Sequence, residues 1–220
     1  MAPIDGGAHR ELSDFVYWHG RVMVFAWSVL FPIGILAARF FKIMPNQDWP
    51  REVDNKTWWH THLTTQYSGG VIVLIGLALV LFAPDNAGVT AWWHTILGWA
   101  VVSMAAVQFA GGWLRGTTGG PTKRTPDGST FGDHYNMTSR RKAFEAIHKS
   151  VGYLAVVTSV AALLSGLFFV GAPLWMLMIV IAWWLCLAAL FVTLQCRGFR
   201  RDTYQAIWGP DPKHPGNSEP

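Results

Sequence analysis

The polar and apolar positions of this chain fall into long blocks. They neither alternate as a strand would nor follow a single helical stripe. Five apolar blocks approach or exceed the roughly 20 residues that a helix needs to cross a bilayer. They run over about residues 16–41, 58–82, 91–115, 140–170 and 174–196. The first separator, KIMPNQDWPREVDNK, is rich in proline and charge. The second, APDNAGVT, is short and ends on Thr90, a residue type that caps helix N-termini. The third, GTTGGPTKRTPDGSTFGDHYNMTS, is the longest and is studded with turn formers, and the fourth is hardly more than GAP. The pattern predicts an all-α integral membrane protein of five transmembrane helices. Residues 1–14 form an N-terminal tail, 15–196 the membrane domain, and 197–220 a polar tail that is disordered at its end.

Composition agrees. The chain is 51% hydrophobic and 14% charged, against about 25% charged in ordinary soluble domains, and its 13 tryptophans suit interfacial belts. The opening MAPIDGGAHRELSD has neither a basic n-region nor an apolar h-region, so no cleavable signal is expected before the first span. Cys186 and Cys196 occupy one apolar run and no C-x-x-C-H occurs, so neither a disulfide nor covalent haem attachment is expected.

Charge orients the spans. With five of them the termini lie on opposite sides. Of the 17 Lys and Arg, only Arg10 and Arg21 fall on the N-terminal side. Lys and Arg stay preferentially on the cytoplasmic face, so the N-terminus is expected outside and the C-terminus in the cytoplasm of a multi-pass cell or inner-membrane protein. The basic charge then belongs to a rim facing anionic headgroups of the bilayer and needs no nucleic acid.

Histidine changes the picture most. His9, His134 and His214 sit in tails or a loop, where exposure is the ordinary expectation. The others stand at helix starts: His19, His60 and His62, His94, and His148. Odd helices begin on the N-terminal side and even ones on the other, so His19 and His94 share one depth, and His62 or His60 shares another with His148. Ionisable groups inside a span are costly, and two pairs near opposite faces of a four-helix bundle suit two haems, each ligated by two imidazoles. His60 and His62 point about 200° apart. His62 shares its face with Gln66 and Gly69, whereas His60 lies beside Trp58 and Trp59, so His62 is the chosen ligand. Small residues follow each histidine at helical spacing: Gly20, Ala26 and Gly34 after His19; Gly69, Gly70 and Gly76 after His62; Gly98, Ala105 and Gly112 after His94; Gly152, Ala155, Ser159, Ala162 and Gly166 after His148. Such stripes admit a flat macrocycle, and they also serve helix packing in membranes. Helix rise separates the two levels by about 20–25 Å.

The first helix, HGRVMVFAWSVLFPIGILAAR, with His19, Met23, Trp27, Pro32, Gly34 and Arg39, resembles the opening of a cytochrome b561 domain of the type that follows a DOMON domain in ferric-chelate-reductase-like proteins. WWHTHLTTQ matches that family's W-x-x-x-H-x-x-x-Q at Trp58, His62 and Gln66; His94 with Gly98 and Gln108, and IHKSVGY with His148, Gly152 and Tyr153, complete the set. The resemblance covers about residues 16–170. It implies a four-helix core with extra flanking helices, holding two non-covalent b haems on His19 with His94 and His62 with His148, with Gly98, Gly152, Gln66 and Arg39 around the cofactors. This chain departs in having one extra helix, at the C-terminal end. It implies transmembrane electron transfer from a cytoplasmic reductant, ascorbate or a quinol, to an outer ferric chelate, monodehydroascorbate or redox protein. Only 18 residues precede His19, so an outer redox partner is expected to be a separate molecule. Lys42, Arg140, Arg141, Lys142 and Lys149 suit a donor or propionate site, or simply the positive-inside rule. Arg21 suits a propionate or anionic acceptor, or snorkelling to the interface.

A protein that reduces a small substrate at its outer face would be a transmembrane oxidoreductase, and a homodimer is a candidate assembly. Two rival readings are a haem-free structural or assembly subunit and a histidine-lined proton pathway. The apolar helix centres, such as VIVLIGLALV, offer the latter no relay.

Overall fold

In the computed structural model, which describes residue 4 and residues 12–83 and 91–217, the five apolar blocks are helices: α1 Asp14–Phe40, α2 Thr57–Leu81, α3 Trp92–Trp113, α4 Ser139–Phe169 and α5 Leu174–Cys196. Each is long and apolar enough to cross a membrane. α3 opens with Ala91 at its N-cap position, and Thr90, expected to cap it, lies outside the described residues. The end of the tail, expected to be disordered, likewise lies outside them.

Two helical hairpins make the bundle. α1 runs along α2, and α3 along α4; between the hairpins the backbones approach mainly where α1 meets α4, and α5 leans on α1 and α4. The hairpin of α1 and α2 is close because glycine lets it be. A Cβ on Gly34 would overlap the side chains of Thr65 and Gln66, and one on Gly69 would stand 2.7 Å from the Phe31 ring. Gln66 Nε2 donates to the carbonyl of Phe31 (3.3 Å), tying the helices at the same level.

α1 is interrupted by a π segment, Ala26–Leu30. Pro32 follows it and has no N–H to give to the carbonyl four residues back, that of Ser28. Trp183 of α5 supplies one instead: its Nε1–H donates to the Ser28 carbonyl at 2.7 Å.

The charged end of the bundle is covered by an ordered cap. The tail forms α6, Thr203–Trp208, whose N-cap Asp202 accepts from the Tyr204 N–H. Asp54 N–H donates to the Ala206 carbonyl (2.9 Å) and Lys42 Nζ to that of Arg201 (3.0 Å), so the first loop and the end of α1 hold the tail. The long third loop folds back on itself through His134 N–H to Thr117 O and Tyr135 N–H to Thr118 O. Gly119 and Gly132 pass so closely there that a Cβ on either would meet the other's backbone. His134, expected to be exposed, is only 5% exposed: its ring lies 4.7 Å from that of Trp208 and 6.1 Å from that of Tyr204. The tail's aromatic side chains bury it, and that burial pushes its pKa down to about 3.

Candidate functional site

The histidines meet in pairs across the gap between the hairpins. His19 of α1 faces His94 of α3 with ring centres 6.0 Å apart, and His62 of α2 faces His148 of α4 at 6.4 Å. His60 points outward and is exposed, as its position beside Trp59 leads one to expect.

Three of the four rings are oriented by backbone carbonyls. His19 Nδ1 donates to Gly76 O (2.7 Å), His62 Nδ1 to Gly34 O (3.0 Å) and His94 Nδ1 to Ala162 O (3.0 Å), with Ser165 Oγ 3.3 Å from the last. A carbonyl only accepts, so each Nδ1 carries the proton and each Nε2 keeps its lone pair. A metal-ligating imidazole ordinarily donates its other ring N–H to a carbonyl or carboxylate in this way, which fixes its tautomer and orientation. His148 Nδ1 is buried without a partner, as is Gln108 Nε2.

The acceptors also measure the distance between the pairs. Gly76 marks the level of the first pair on α2, fourteen residues beyond His62, and Ala162 marks it on α4, fourteen beyond His148. Fourteen residues are about 21 Å and bring a helix back to nearly the same face. On α1 the corresponding step, His19 to Gly34, is fifteen residues. The π segment lies between them and absorbs the extra residue, which keeps both on one face.

These residues fit a bis-imidazole haem. Two imidazoles binding one metal ion from opposite sides, each nitrogen about 2 Å away and each ring centre roughly 1 Å further, have centres about 6 Å apart. Both pairs match that spacing. A Cβ on Gly98, one turn beyond His94, would meet nothing within 4 Å, so the space in front of it is open. A Cβ on Gly152, one turn beyond His148, would lie 3.5 Å from Gln108 Oε1.

The basic residues named from the sequence gather at the His62–His148 end, and most have tasks. Arg140 donates twice to Leu114 O and closes the C-terminus of α3. Arg141 and Lys149 share Glu145 at 2.9 and 2.7 Å. Lys42 is buried, lies over Trp58 and holds Arg201 O; burial pushes its pKa down to about 8. Arg39 sits among the rings of Phe40, Tyr153 and Phe191 and donates to Gln195 Oε1 of α5 (3.0 Å). Sequence reasoning missed Arg115, which stands 4.3 Å over Trp59; burial and the neighbouring Arg141 guanidinium lower its pKa. It also missed Glu145, whose i,i+4 spacing to both cations was legible. At the other end Arg21 lies over Trp18.

Residues 18–120 match the family model described as eukaryotic cytochrome b561. That stretch contains His19, His62 and His94 but stops short of His148, whose place rests on the geometry above. An Arabidopsis thaliana protein named for cytochrome b561, DM13 and DOMON domains is 31% identical over 160 residues, 73% of this chain and 15% of the relative. Another Arabidopsis protein, named for cytochrome b561 and DOMON domains, is 27% identical over 68% of this chain and 27% of its own length. Bovine ferric-chelate reductase 1 is 27% identical over 163 residues, 74% of this chain and 24% of its own length. The chain thus spans about a quarter or less of these relatives. No solved structure matches. On the paired histidines, the five spans and these likenesses together, the chain belongs to the haem-binding cytochrome b561 family.

Proposed function

We propose that the chain carries single electrons across a membrane through two b haems, one held by His19 and His94 and the other by His62 and His148. The observation that carries this reading is the pair of facing imidazoles at each level, 6.0 and 6.4 Å between ring centres, with three Nδ1–H groups committed to carbonyls. When bound, each haem would supply a one-electron iron couple, and the two imidazoles of each pair would hold it. The protein binds through Nε2, fixes ring orientation through Nδ1, and keeps water out with the apolar helix centres. Arg115 and Arg141, with Lys42 and Lys149, make the His62–His148 end the place for anions, whether propionates or a reductant such as ascorbate; a quinol is the alternative donor and would arrive from the bilayer. The positive-inside rule sets that end in the cytoplasm and the His19–His94 end outside. There a ferric chelate, monodehydroascorbate or a redox protein takes the electron, the first supported by the likeness to ferric-chelate reductases.

The test is a reduced-minus-oxidised spectrum of the detergent-purified chain with a pyridine haemochromogen assay. Two b haems per chain are expected, falling toward one in both His94→Ala and His148→Ala. A folded but colourless protein would overturn the reading in favour of a structural subunit.

A further inference from the structure

The gap between the hairpins is closed at its middle. The buried core cluster comprises Ala26, Trp27, Phe31, Val73, Val101, Ala155, Ala162 and Leu163, drawn from all four helices of the bundle. Its two aromatic rings are Trp27 and Phe31, 6% and 5% exposed, with ring centres 4.4 Å apart. Trp27 lies eight residues beyond His19 and seven before Gly34, midway between the levels of the two histidine pairs. Phe31 packs on Gly69, which is seven residues from His62 and seven from Gly76, the midpoint measured independently along α2. A missing Cβ at Gly69 therefore admits a ring to the centre of the bundle. The rest of the cluster is saturated: Ala, Val and Leu.

We infer that Trp27, together with Phe31, is the bridge through which an electron passes between the two histidine-held centres, an inference that rests on the two-haem reading above. The levels are about 21 Å apart by helix rise. Electronic coupling decays with every saturated contact and jump through space, and two adjoining π systems at the midpoint replace several of each. The step is one electron leaving the reduced centre at His62–His148 and arriving at the oxidised centre at His19–His94. No bond forms or breaks and no proton moves. The indole stays closed-shell and lends only its orbitals. Among the ring contacts described, Trp27 meets neither candidate ligand pair, so both pairs' hydrogen bonds are expected to remain when it is changed.

The experiment compares Trp27→Phe, which keeps a ring, with Trp27→Leu, which fills much of the space without one. Each protein is placed in lipid nanodiscs, and less than one electron per chain is injected from a water-soluble photosensitiser re-reduced by a sacrificial amine donor, with no ascorbate, quinol or ferric chelate present. Its redistribution between the centres is followed in the haem α band. Haem content, low-spin EPR signals and both midpoint potentials are measured on the same samples and are expected to match the wild type in every variant. Redistribution is expected to be several-fold slower in Trp27→Leu, close to wild type in Trp27→Phe, and slowest in Trp27→Leu with Phe31→Leu. Equal rates in wild type and Trp27→Leu, or equal slowing by Phe and Leu, would overturn the bridge, the second outcome pointing to volume alone. Should Trp27→Leu lose haem, Phe31→Leu and Trp27→Met carry the same comparison. A wild type with fewer than two haems per chain would instead remove the two-haem reading, and the bridge with it.

Discussion

The two ends of this bundle hold their histidines differently. At the His19–His94 end both rings are fixed by backbone carbonyls from the neighbouring helix, and the surroundings are tryptophans such as Trp18, Trp92 and Trp93 with Arg21 as the nearby cation. At the His62–His148 end only one ring is so fixed, and a folded cap and a cluster of cations lie over it. One end has its geometry set by main chain; the other has its electrostatics set by side chains. Helix carbonyls are rigid acceptors with no pKa. The first end is therefore expected to be insensitive to pH and salt, and the second to respond to both.

The sharpest way to break this contrast is to remove each end separately. Gly34→Val forces a side chain into Thr65 and Gln66 and displaces the acceptor of His62, an overpacking cost of about 1–3 kcal/mol. Gly166→Val pushes on the His94 ring, which a Cβ there would approach to 3.0 Å. Each variant is expected to lose one haem, of different midpoint potential; loss of the same haem by both would sink the idea of independent ends. Next in size is acid sensitivity of the cap. His134 has an ordinary value of 6.5 and is held near 3 when folded, so below about pH 6.5 the unfolded cap binds a proton that the folded cap does not. Cap stability is fully present above 6.5 and falls as pH drops toward 3. Limited proteolysis of the tail from pH 7 to 4 measures this, and His134→Phe is expected to flatten the profile.

Lys42 gives a smaller effect in the alkaline range. Its folded pKa, about 8, lies below the ordinary 10.5, so wild-type stability rises with pH between those values, and Lys42→Met is expected to abolish that rise in thermal melts. The smallest change is Trp183→Phe, which removes one hydrogen bond inside the membrane, worth about 0.6 kcal/mol on average. A slightly lower melting midpoint at unchanged haem content is the expected result.

Much of this was legible because membrane helices announce themselves as long apolar blocks. Apolar length gave the spans, and the up-and-down order of helix starts brought His19 to His94 and His62 to His148. The face shared with Gln66 selected His62 over His60. What stayed hidden depends on contacts distant in sequence. Tyr204 and Trp208 look like ordinary residues of a polar tail until the third loop and the N–H of Asp54 meet them, and only then is His134 buried. The π segment was hidden too, since nothing in AWSVL announces it. Only the fifteen-residue step on α1 against fourteen on α2 and α4 makes the extra residue visible. Arg140 shows what charge counting leaves out: a cation that suits a donor or propionate site, or the positive-inside rule, also donates to Leu114 O at the end of a helix.

The bond from Trp183 to Ser28 has a consequence for how the chain is made. Ribosomes deliver α1 before α5, and α1 enters the bilayer with a Ser28 carbonyl to which Pro32 cannot donate. The indole N–H that serves this group follows 155 residues later, on α5. Of the five spans the fifth thus completes the first, and a chain halted before Trp183 is expected to leave α1 without this donor.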